Sequence, residues 1–206
     1  SYLSTIFFNK IITDSIEMNK IYKKKFNSDS EIICYGPTNI QVKINYKPKI
    51  KIENKSFYLI VGRLVPDNNA IDLVKGFIKS KSKKKLVIVG DVPYKDNYAM
   101  KLKTIKDKRL IFTGYVKDET LLSYLYKNCF AYIHGHEFGG TNPTMINALD
   151  QNCLILALDS VFNKEMLFKN PNHHLFSKNV NFISEVINKI EKNKFIKNKY
   201  MLPNKY

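Results

Sequence analysis

The sequence has little of what membrane proteins, disulfide-rich secreted domains and several enzyme classes need. No apolar run approaches the roughly 20 residues of a membrane span, and residues 153–158 form one of the longest. The three cysteines, Cys34, Cys129 and Cys153, lie far apart, which favours free, buried thiols in a reducing cytoplasm. No serine or cysteine lies in a nucleophile motif, and no GxGxxG follows a strand-like run, which argues against a nicotinamide-dependent enzyme.

Acidic residues are scarce: 18 Asp and Glu stand against 34 Lys and Arg, which gives a net charge of +16. Three explanations stay open, namely a nucleic-acid surface, a face that meets an anionic membrane leaflet, and a Lys-, Asn- and Ile-rich composition caused by codon bias. The aromatic residues lie mostly in predicted buried strands and helices and do not alternate with lysines on one exposed face. We therefore expect no nucleic-acid partner and keep a basic nucleic-acid-binding module as an alternative.

Strand-like and helix-like segments alternate from residue 57 onward, which predicts an α/β fold with a doubly wound parallel sheet, Rossmann-like in type. Short apolar runs closed by glycines or turn residues predict strands at 57–61, 85–89, 110–112, 130–133 and 154–157, and the run at 57–61 is of the buried type. Amphipathic segments predict helices at 70–77, 98–105, 119–126, 144–149, 163–168 and 180–190.

The front of the chain forms a separate group of elements. A short strand at 10–13 precedes a helix that Asp14 or Ser15 can cap, and a second strand follows at 31–35. Residues 38–55 are rich in Lys and Asn and alternate only loosely, so we interpret them as a linker or an irregular edge.

A glycine-rich loop after the strand at 130–133 is the strongest candidate for a ligand site. Gly139 and Gly140 allow the backbone to approach a ligand closely. Asn142 is a favourable helix N-cap and Pro143 suits the first helical position, so free amides are expected near Thr141. Amides at the start of a helix bind anions, phosphates above all, and this loop lies where α/β folds bind ligands.

Two further loops follow predicted strands and are expected at the same edge of the sheet. Gly62 and Arg63 follow the first strand, and the Arg63 guanidinium suits bidentate contacts with a diphosphate. Tyr115 and Val116 follow another strand, and their backbone is placed to meet the edge of a nucleobase. The alternatives are an exposed arginine and a simple tight turn.

The four histidines form two pairs. His134 and His136 are two residues apart, so in an extended segment they face the same side. The polar lining of a sugar pocket is a better interpretation than a pair of metal ligands, because the sequence shows no cluster of residues that could supply a third ligand. His173 and His174 follow a Pro-Asn dipeptide, which predicts a surface turn.

Several runs, taken in order, carry a family likeness. VGRL (61–64), LVIVG (86–90), RLIFTGYV (109–116), LLSYLYKNCFAYIHG (121–135) and the glycine loop resemble the C-terminal, donor-binding domain of the retaining family-four glycosyltransferases of GT-B fold. More narrowly, GRLVPDNN (62–69), YIHGHEFGGTNP (132–143) and ALDSVFNKEML (157–167) are similar to the bacterial rhamnosyltransferase branch.

The likeness covers about residues 9–190 and implies a division of the chain. Residues 1–37 are expected to be the end of the N-terminal, acceptor domain, 38–55 the interdomain linker, 56–190 the nucleotide-sugar donor-binding domain, and 191–206 a basic tail. Most of the acceptor domain would then be absent, and residues 1–206 by themselves are expected to bind nucleotide without transferring sugar.

The resemblance also implies a function and a set of roles. The expected reaction transfers a sugar, rhamnose by the branch likeness, from a dTDP-sugar or a UDP-sugar to a glycan or lipid-linked acceptor in polysaccharide biosynthesis. The expected location is the cytoplasm, with a peripheral contact at the inner membrane face. No metal or other cofactor is expected, because protein groups supply the positive field. Arg63 and Glu137 are the expected catalytic residues; the other expected substrate contacts are Gly62, Tyr115, Val116, His134, His136, Gly139, Gly140, Thr141, Asn142 and Asn147.

The chain departs from the family pattern at two places. The family has two glutamates eight residues apart around the glycine loop, and those positions here are Gly139 and Asn147. The rhamnosyltransferase branch shares the glycine but keeps the second glutamate, which is expected to hold the ribose hydroxyls. The family's diphosphate lysine is replaced by Asn68 or Asn69, as in the branch. Because of Asn147, a non-catalytic pseudo-enzyme or scaffold of the same fold stays open as an alternative.

Overall fold

The computed structural model describes residues 5, 7–38, 46, 48 and 50–192. In chain order the strands are β1 (Ile12–Thr13), β2 (Glu31–Ile32), β3 (Phe57–Val61), β4 (Lys85–Val89), β5 (Leu110–Gly114), β6 (Ala131–His134), β7 (Ile155–Leu158) and β8 (His173–Phe176). The α-helices are α1 (Ile16–Phe26), α2 (Ala70–Lys79), α3 (Asn97–Thr104), α4 (Glu119–Asn128), α5 (Pro143–Asp150), α6 (Val161–Leu167) and α7 (Val180–Lys192), and a 3₁₀ turn spans Pro66–Asn68.

Six strands form one parallel sheet in the order β5-β4-β3-β6-β7-β8. The chain winds from β3 outward to β5, and then returns to the other side of β3 to place β6. The winding direction therefore reverses between β3 and β6, the point at which open α/β sheets bind ligands. This arrangement confirms the predicted doubly wound α/β fold.

The core has two layers because successive side chains of a strand point to opposite faces of the sheet. In β3, Tyr58 and Ile60 pack with Phe77 of α2 and Ile187 of α7. The alternate residues Phe57, Leu59 and Val61 pack on the other face, with side chains that include Leu125, Met145 and Met166 of α4, α5 and α6. All five residues of β3 are buried, as expected for a central parallel strand.

Strand β8 corrects the prediction of a surface turn at His173 and His174. The segment pairs in parallel with β7, with His173 opposite Ile155 and Phe176 opposite Leu158. It lies at the edge of the sheet and is only partly buried, so its sequence shows no apolar run. The Pro-Asn dipeptide just before the strand predicted a turn, and the residues of the strand itself carry only a weak strand pattern.

The elements β1, α1 and β2 form a small parallel unit of their own, which we call the terminal unit. Ser15 caps α1 by accepting a hydrogen bond from the Met18 amide, which agrees with one of the two predicted caps. The preceding two amides of the helix, those of Ile16 and Glu17, donate to the two carboxylate oxygens of Glu165 at 2.7 and 2.9 Å. A residue of α6 thus ties the terminal unit to the large sheet.

The predicted division into domains stays a prediction, because most of residues 38–49 and all of 193–206 lie outside the described residues. Cys129 and Cys153 are buried free thiols, as expected, whereas Cys34 is only partly buried. Within the described ranges, each helix is either too short or too polar to cross a bilayer.

Replacing Glu165 with Ala is expected to loosen the start of α1. The first amides of a helix have no partner within the helix, so Ile16 and Glu17 depend on this carboxylate. Hydrogen exchange at those two amides should speed up about tenfold, since a hydrogen bond to a charged group contributes about 1.5–3 kcal/mol. The control is Glu185→Ala on the exposed face of α7. Unchanged exchange at Ile16 and Glu17 in the Glu165 variant would show that the carboxylate does not hold the unit.

Candidate functional site

A cavity of about 360 Å³ opens where β3, β4 and β5 end. Its lining residues come from three loops that follow these strands and from the nearby helices α4 and α5. They are Val61, Gly62, Arg63, Val89, Gly90, Asp91, Tyr115, Val116, Lys117, Glu119, Leu122 and Thr144. The cavity therefore lies at the carboxyl edge of the sheet, where the sequence predicted a ligand site.

Gly90 lets two of these loops approach each other. Its φ is +135°, a backbone conformation that side chains rarely adopt, and a Cβ there would lie 1.9 Å from the carbonyl oxygen of Gly62. The amide of Gly62 in turn donates to the carbonyl of Val89 at 3.0 Å. Any larger residue at position 90 would push the β3 and β4 loops apart and deform the cavity.

Charged groups of both signs line the cavity. Arg63 and Lys117 are the cations, and Asp91 and Glu119 are the acids. Asp91 is already paired, because Lys103 donates to both of its carboxylate oxygens at 2.7 and 2.8 Å. This hydrogen bonding from Lys103, with help from the Val92 amide, lowers the pKa of Asp91. One acid is thus neutralised by a partner on α3, and the two cations are left to face an anionic ligand.

His134 is held in one tautomer by a chain of buried hydrogen bonds. The Asn142 side-chain oxygen accepts from the Thr144 hydroxyl at 2.7 Å, so the Tyr132 hydroxyl must donate its proton to Thr144 at 2.9 Å. Tyr132 can then only accept from Nδ1 of His134, also at 2.9 Å. The proton of His134 therefore lies on Nδ1, and its Nε2 is a bare acceptor, buried and without a hydrogen-bond partner.

His136 stacks on His134 with ring centroids 4.3 Å apart. A Cβ at Gly62 would come within 3.0 Å of its Cε1 atom, which places His136 directly beside the β3 loop. Burial, and then the positive charge of Arg63, lowers the pKa of His136 to about 4. Burial, with His136 as the lesser cause, lowers the pKa of His134 well below its usual value. Both rings are therefore neutral at pH 7.

Glu137 lies on the same loop and is tied to two other segments. Its amide donates to the carbonyl of Asp67 at 3.0 Å, and its carboxylate accepts from Lys178 at 2.7 Å. The Lys178 hydrogen bond is the main reason why the pKa of Glu137 is lowered. Glu137 is thus an ionised carboxylate at neutral pH.

Asn163 holds in place the loop that carries His136. Its buried side-chain amide donates to the carbonyls of His136 and Leu158, at 3.1 and 2.9 Å. The residue belongs to the ALDSVFNKEML run (157–167), in which no site residue was expected from the sequence. Its contacts show that it fixes the path of the backbone that carries both histidines.

The glycine loop is covered by the terminal unit. A Cβ at Gly140 would meet Oδ1 of Asp14 at 1.7 Å and Oγ of Ser15 at 2.6 Å, so only glycine fits there. The Thr141 hydroxyl donates to the carbonyl of Asp14. The amide of Asn142 points to the sulfur of Met166 at 3.3 Å, a weak acceptor. The predicted glycine loop is present, with Asp14 and Ser15 of the terminal unit over Gly140, and its role in anion binding stays a prediction.

The helix start predicted beyond this loop is present. Asn142 is the N-cap of α5, its side chain accepts from the Thr144 amide, and Pro143 occupies the first turn. Gly139 adopts a φ of +112° with open space where a Cβ would lie. Thr144 in this first turn reaches the cavity, which brings α5 to the same site as Arg63.

Asn147 lies one turn further along α5 and does not line the large cavity. Its side-chain oxygen accepts from the Thr38 amide at 3.0 Å. It also borders a small recess of about 20 Å³ between α4 and α5, together with residues that include Tyr126, Glu119 and Leu122. Glu119 and Leu122 line the cavity as well, so the recess and the cavity share a wall.

The structure thus brings together part of the predicted set. Gly62, Arg63, Tyr115 and Val116 line one cavity, and His136 lies against its first loop. The loop 139–142, with Asn147, lies beside this cavity and does not line it. Among the lining residues that sequence reasoning missed are three charged ones, Asp91, Lys117 and Glu119, which lie two to seven residues after the end of a predicted strand.

The parallel sheet, its switch point and a cationic cavity at the carboxyl edge define a Rossmann-like ligand-binding domain. Residues 42–206 match the family described as glycosyl transferases group 1, and the chain belongs to this family. A search of curated proteins found no significant match.

Solved structures of other proteins share the fold. HepE from Anabaena in complex with UDP-glucose aligns with a TM-score of 0.75 at 14% identity, over 93% of this chain and 56% of HepE. A variant of TarM from S. aureus, bound to UDP and other ligands, aligns with a TM-score of 0.69 at 18% identity, over 93% of this chain and 38% of TarM. The lipopolysaccharide outer core galactosyltransferase WaaB aligns with a TM-score of 0.66 at 19% identity, over 94% of this chain and 55% of WaaB. This chain therefore has the Rossmann-like architecture of GT-B glycosyltransferases and spans little more than half of HepE.

The neutral His136 makes the stability of the fold depend on pH. Its pKa is about 4 in the folded chain against an ordinary 6.5, so below pH 6.5 the unfolded chain binds a proton that the folded chain does not. The free energy of unfolding should fall as the pH drops from 6.5 towards 4, by up to about 1.4 kcal/mol per pH unit for this one group, and should gain nothing from it above 6.5.

Urea unfolding of the wild type and of His136→Gln at pH 7, 6 and 5 measures this contribution. The variant should lose less stability between pH 6.5 and 5 than the wild type. If the substitution alters packing and lowers the free energy of unfolding by the same amount at every pH, that loss cancels, because the two proteins are compared by how steeply this free energy changes with pH. Equal slopes in the two proteins would show that His136 keeps its ordinary pKa in the folded chain.

Proposed function

We propose that this chain is the donor-binding part of a retaining glycosyltransferase and binds a nucleoside diphosphate sugar in the cavity at the ends of β3, β4 and β5. The observation that supports this proposal most is the cavity itself. It holds Arg63 and Lys117 at the carboxyl edge of a Rossmann-like sheet, in a chain of the group 1 glycosyltransferase family. A diphosphate carries the opposite charge, and a guanidinium binds phosphate oxygens in pairs.

In this proposal Arg63 holds the diphosphate and stabilises the negative charge that grows on it as the sugar leaves. Preorganised hydrogen-bond donors aimed at developing charge lower the reaction barrier most. The side-chain amide of Asn68 donates to the carbonyl oxygen of Arg63 at 2.7 Å and so holds the backbone of Arg63 in place at the cavity. The amides of Gly140, Thr141 and Asn142 are assigned to the same diphosphate. Because Asp14 and Ser15 lie over Gly140, a bound diphosphate there requires the terminal unit to move aside.

The base and the sugar are assigned to opposite sides of Arg63. The backbone of Tyr115 and Val116 is proposed to meet the base, and His134, His136 and Glu137 are proposed to surround the sugar. Neutral imidazoles can accept or donate hydrogen bonds to sugar hydroxyls, and the bare Nε2 of His134 is a buried acceptor without a partner. Glu137 is an ionised carboxylate, suited to stabilise positive charge that develops on the sugar ring.

The likeness of three sequence runs to the rhamnosyltransferase branch supports rhamnose as the sugar, with dTDP first and UDP second as the nucleotide. The acceptor is proposed to be a glycan or a lipid-linked glycan in polysaccharide biosynthesis. The net charge of +16 suits a cytoplasmic protein that touches an anionic membrane face. Neither a metal nor another cofactor has a role in this proposal, and residues 1–206 are proposed to bind nucleotide without transferring sugar by themselves.

Arg63→Ala tests the nucleotide site. The variant should bind dTDP and UDP about 10- to 100-fold more weakly than the wild type by titration calorimetry, because a charge-assisted contact contributes about 1.5–3 kcal/mol. Lys75→Ala on the exposed side of α2 is the control for a general loss of positive charge and should bind like the wild type. Equal affinities for Arg63→Ala and the wild type would refute the assignment of the cavity to the diphosphate.

A non-catalytic protein of the same fold is the second candidate, and Asn147 is the observation that favours it. A neutral amide whose oxygen is already bound to the Thr38 amide replaces the expected glutamate. Asn147→Glu separates the two candidates: a degraded site should gain nucleotide affinity tenfold or more, whereas an intact site should change by less than threefold. Asn181→Glu, which makes the same change at an exposed position of α7 away from the recess, is the control.

A further inference from the structure

The wall between the large cavity and the recess of about 20 Å³ is formed by Glu119 and Leu122 of α4, since both residues line both spaces. Asn147 of α5 borders the recess on the other side. Glu119 therefore stands between the cavity proposed for the nucleotide and the residue at the position of the missing glutamate. It follows Tyr115 and Val116, the residues proposed to meet the base, by only a few positions along the chain.

Asn147 is poorly suited to accept hydrogen bonds from hydroxyl groups. Its side-chain oxygen already accepts from the Thr38 amide at 3.0 Å, which leaves one lone pair on an uncharged acceptor, beside an NH₂ group that can only donate. The two hydroxyls of a ribose bind most strongly to a carboxylate, which accepts from both. A site that has lost its glutamate at position 147 needs such a group from another element.

Glu119 is the acid that remains available. Two acids line the cavity, and Lys103 already occupies both oxygens of Asp91. No ion pair or side-chain hydrogen bond engages Glu119 among residues 5, 7–38, 46, 48 and 50–192. The structural role of capping α4 belongs to Asp118, whose side chain accepts from the Leu121 amide, so Glu119 is free for a ligand.

We propose that Glu119 accepts hydrogen bonds from the pentose hydroxyls of the bound nucleotide and takes the place of the carboxylate absent at position 147, with the Asn147 NH₂ group as a secondary contact. This inference rests on the proposed function and deepens it. Glu119 is a specificity residue: it distinguishes a nucleotide with pentose hydroxyls from one without them, and it takes no part in breaking the bond to the sugar.

The test compares UDP with 2′,3′-dideoxy-UDP, which has the same base and diphosphate but no pentose hydroxyls. Calorimetric titration of the wild type should show UDP binding about tenfold or more tightly than the dideoxy nucleotide. In Glu119→Gln this ratio should fall to about twofold, because a neutral amide accepts less strongly from the pentose hydroxyls than a carboxylate does. Since both ligands carry the same diphosphate, the removed negative charge affects both equally and cancels in the ratio.

Glu185→Gln on the exposed face of α7 makes the same change of charge away from the cavity and should keep the wild-type ratio. Titration with 2′-deoxy-UDP adds a consequence for the donor: a ratio that depends on the 2′-hydroxyl favours UDP-sugars, and one that depends on the 3′-hydroxyl leaves dTDP-sugars equally suitable.

The outcomes separate this inference from the proposed function. If Glu119→Gln changes the affinity for both nucleotides equally, or for neither, while Arg63→Ala still weakens nucleotide binding about 10- to 100-fold, the nucleotide site stands and the role of Glu119 is refuted. If the wild type binds neither UDP nor dTDP at millimolar concentration, the proposed function fails and the role of Glu119 fails with it. A collapse of the ratio in Glu119→Gln with wild-type stability supports both.

Discussion

Strand β3 is the element on which the position of every cavity residue depends. It is buried along its whole length and pairs with β4 on one side and β6 on the other. Because all strands of the sheet are parallel, the loops after β3, β4, β5 and β6 leave from one edge. The contact between Gly90 and the carbonyl of Gly62 then brings two of these loops into van der Waals distance. The cavity is therefore a result of strand order, and the loop sequences determine its chemistry.

Burial sorts the polar groups of this edge by charge. The two stacked histidines lie in a poorly solvated place and stay neutral, while Arg63 beside them keeps its charge. A chain of hydrogen bonds through Tyr132 and Thr144 holds the His134 proton on Nδ1. Arg63 and Lys117 thus bring positive charge to a cavity that also holds Glu119, and neutral imidazoles lie next to it. This separation suits a ligand with an anionic diphosphate and an uncharged, hydroxyl-rich group.

Local sequence signals predicted the local structure well. The N-cap at Asn142, with Pro143 behind it, was predicted from residue type and spacing, and Ser15 was one of two predicted caps, because a cap involves residues only two or three positions apart. The buried central strands were also predicted, since each is a continuous apolar run closed by a turn residue. The edge strand at His173–Phe176 was missed because its stability comes from pairing with β7, which no local pattern records.

By itself, then, the sequence determined the order of the elements apart from β8, the cap at Asn142, and the arginine and aromatic residues that follow the strands. These features depend on neighbours within one helical turn or one strand. Only the tertiary structure decided that Glu165 binds a helix 149 positions away, that Asp14 covers Gly140, and that Glu119 lies across a recess from Asn147. Such contacts arise from the packing of whole elements against each other, and their partners lie too far apart in the chain for spacing to predict them.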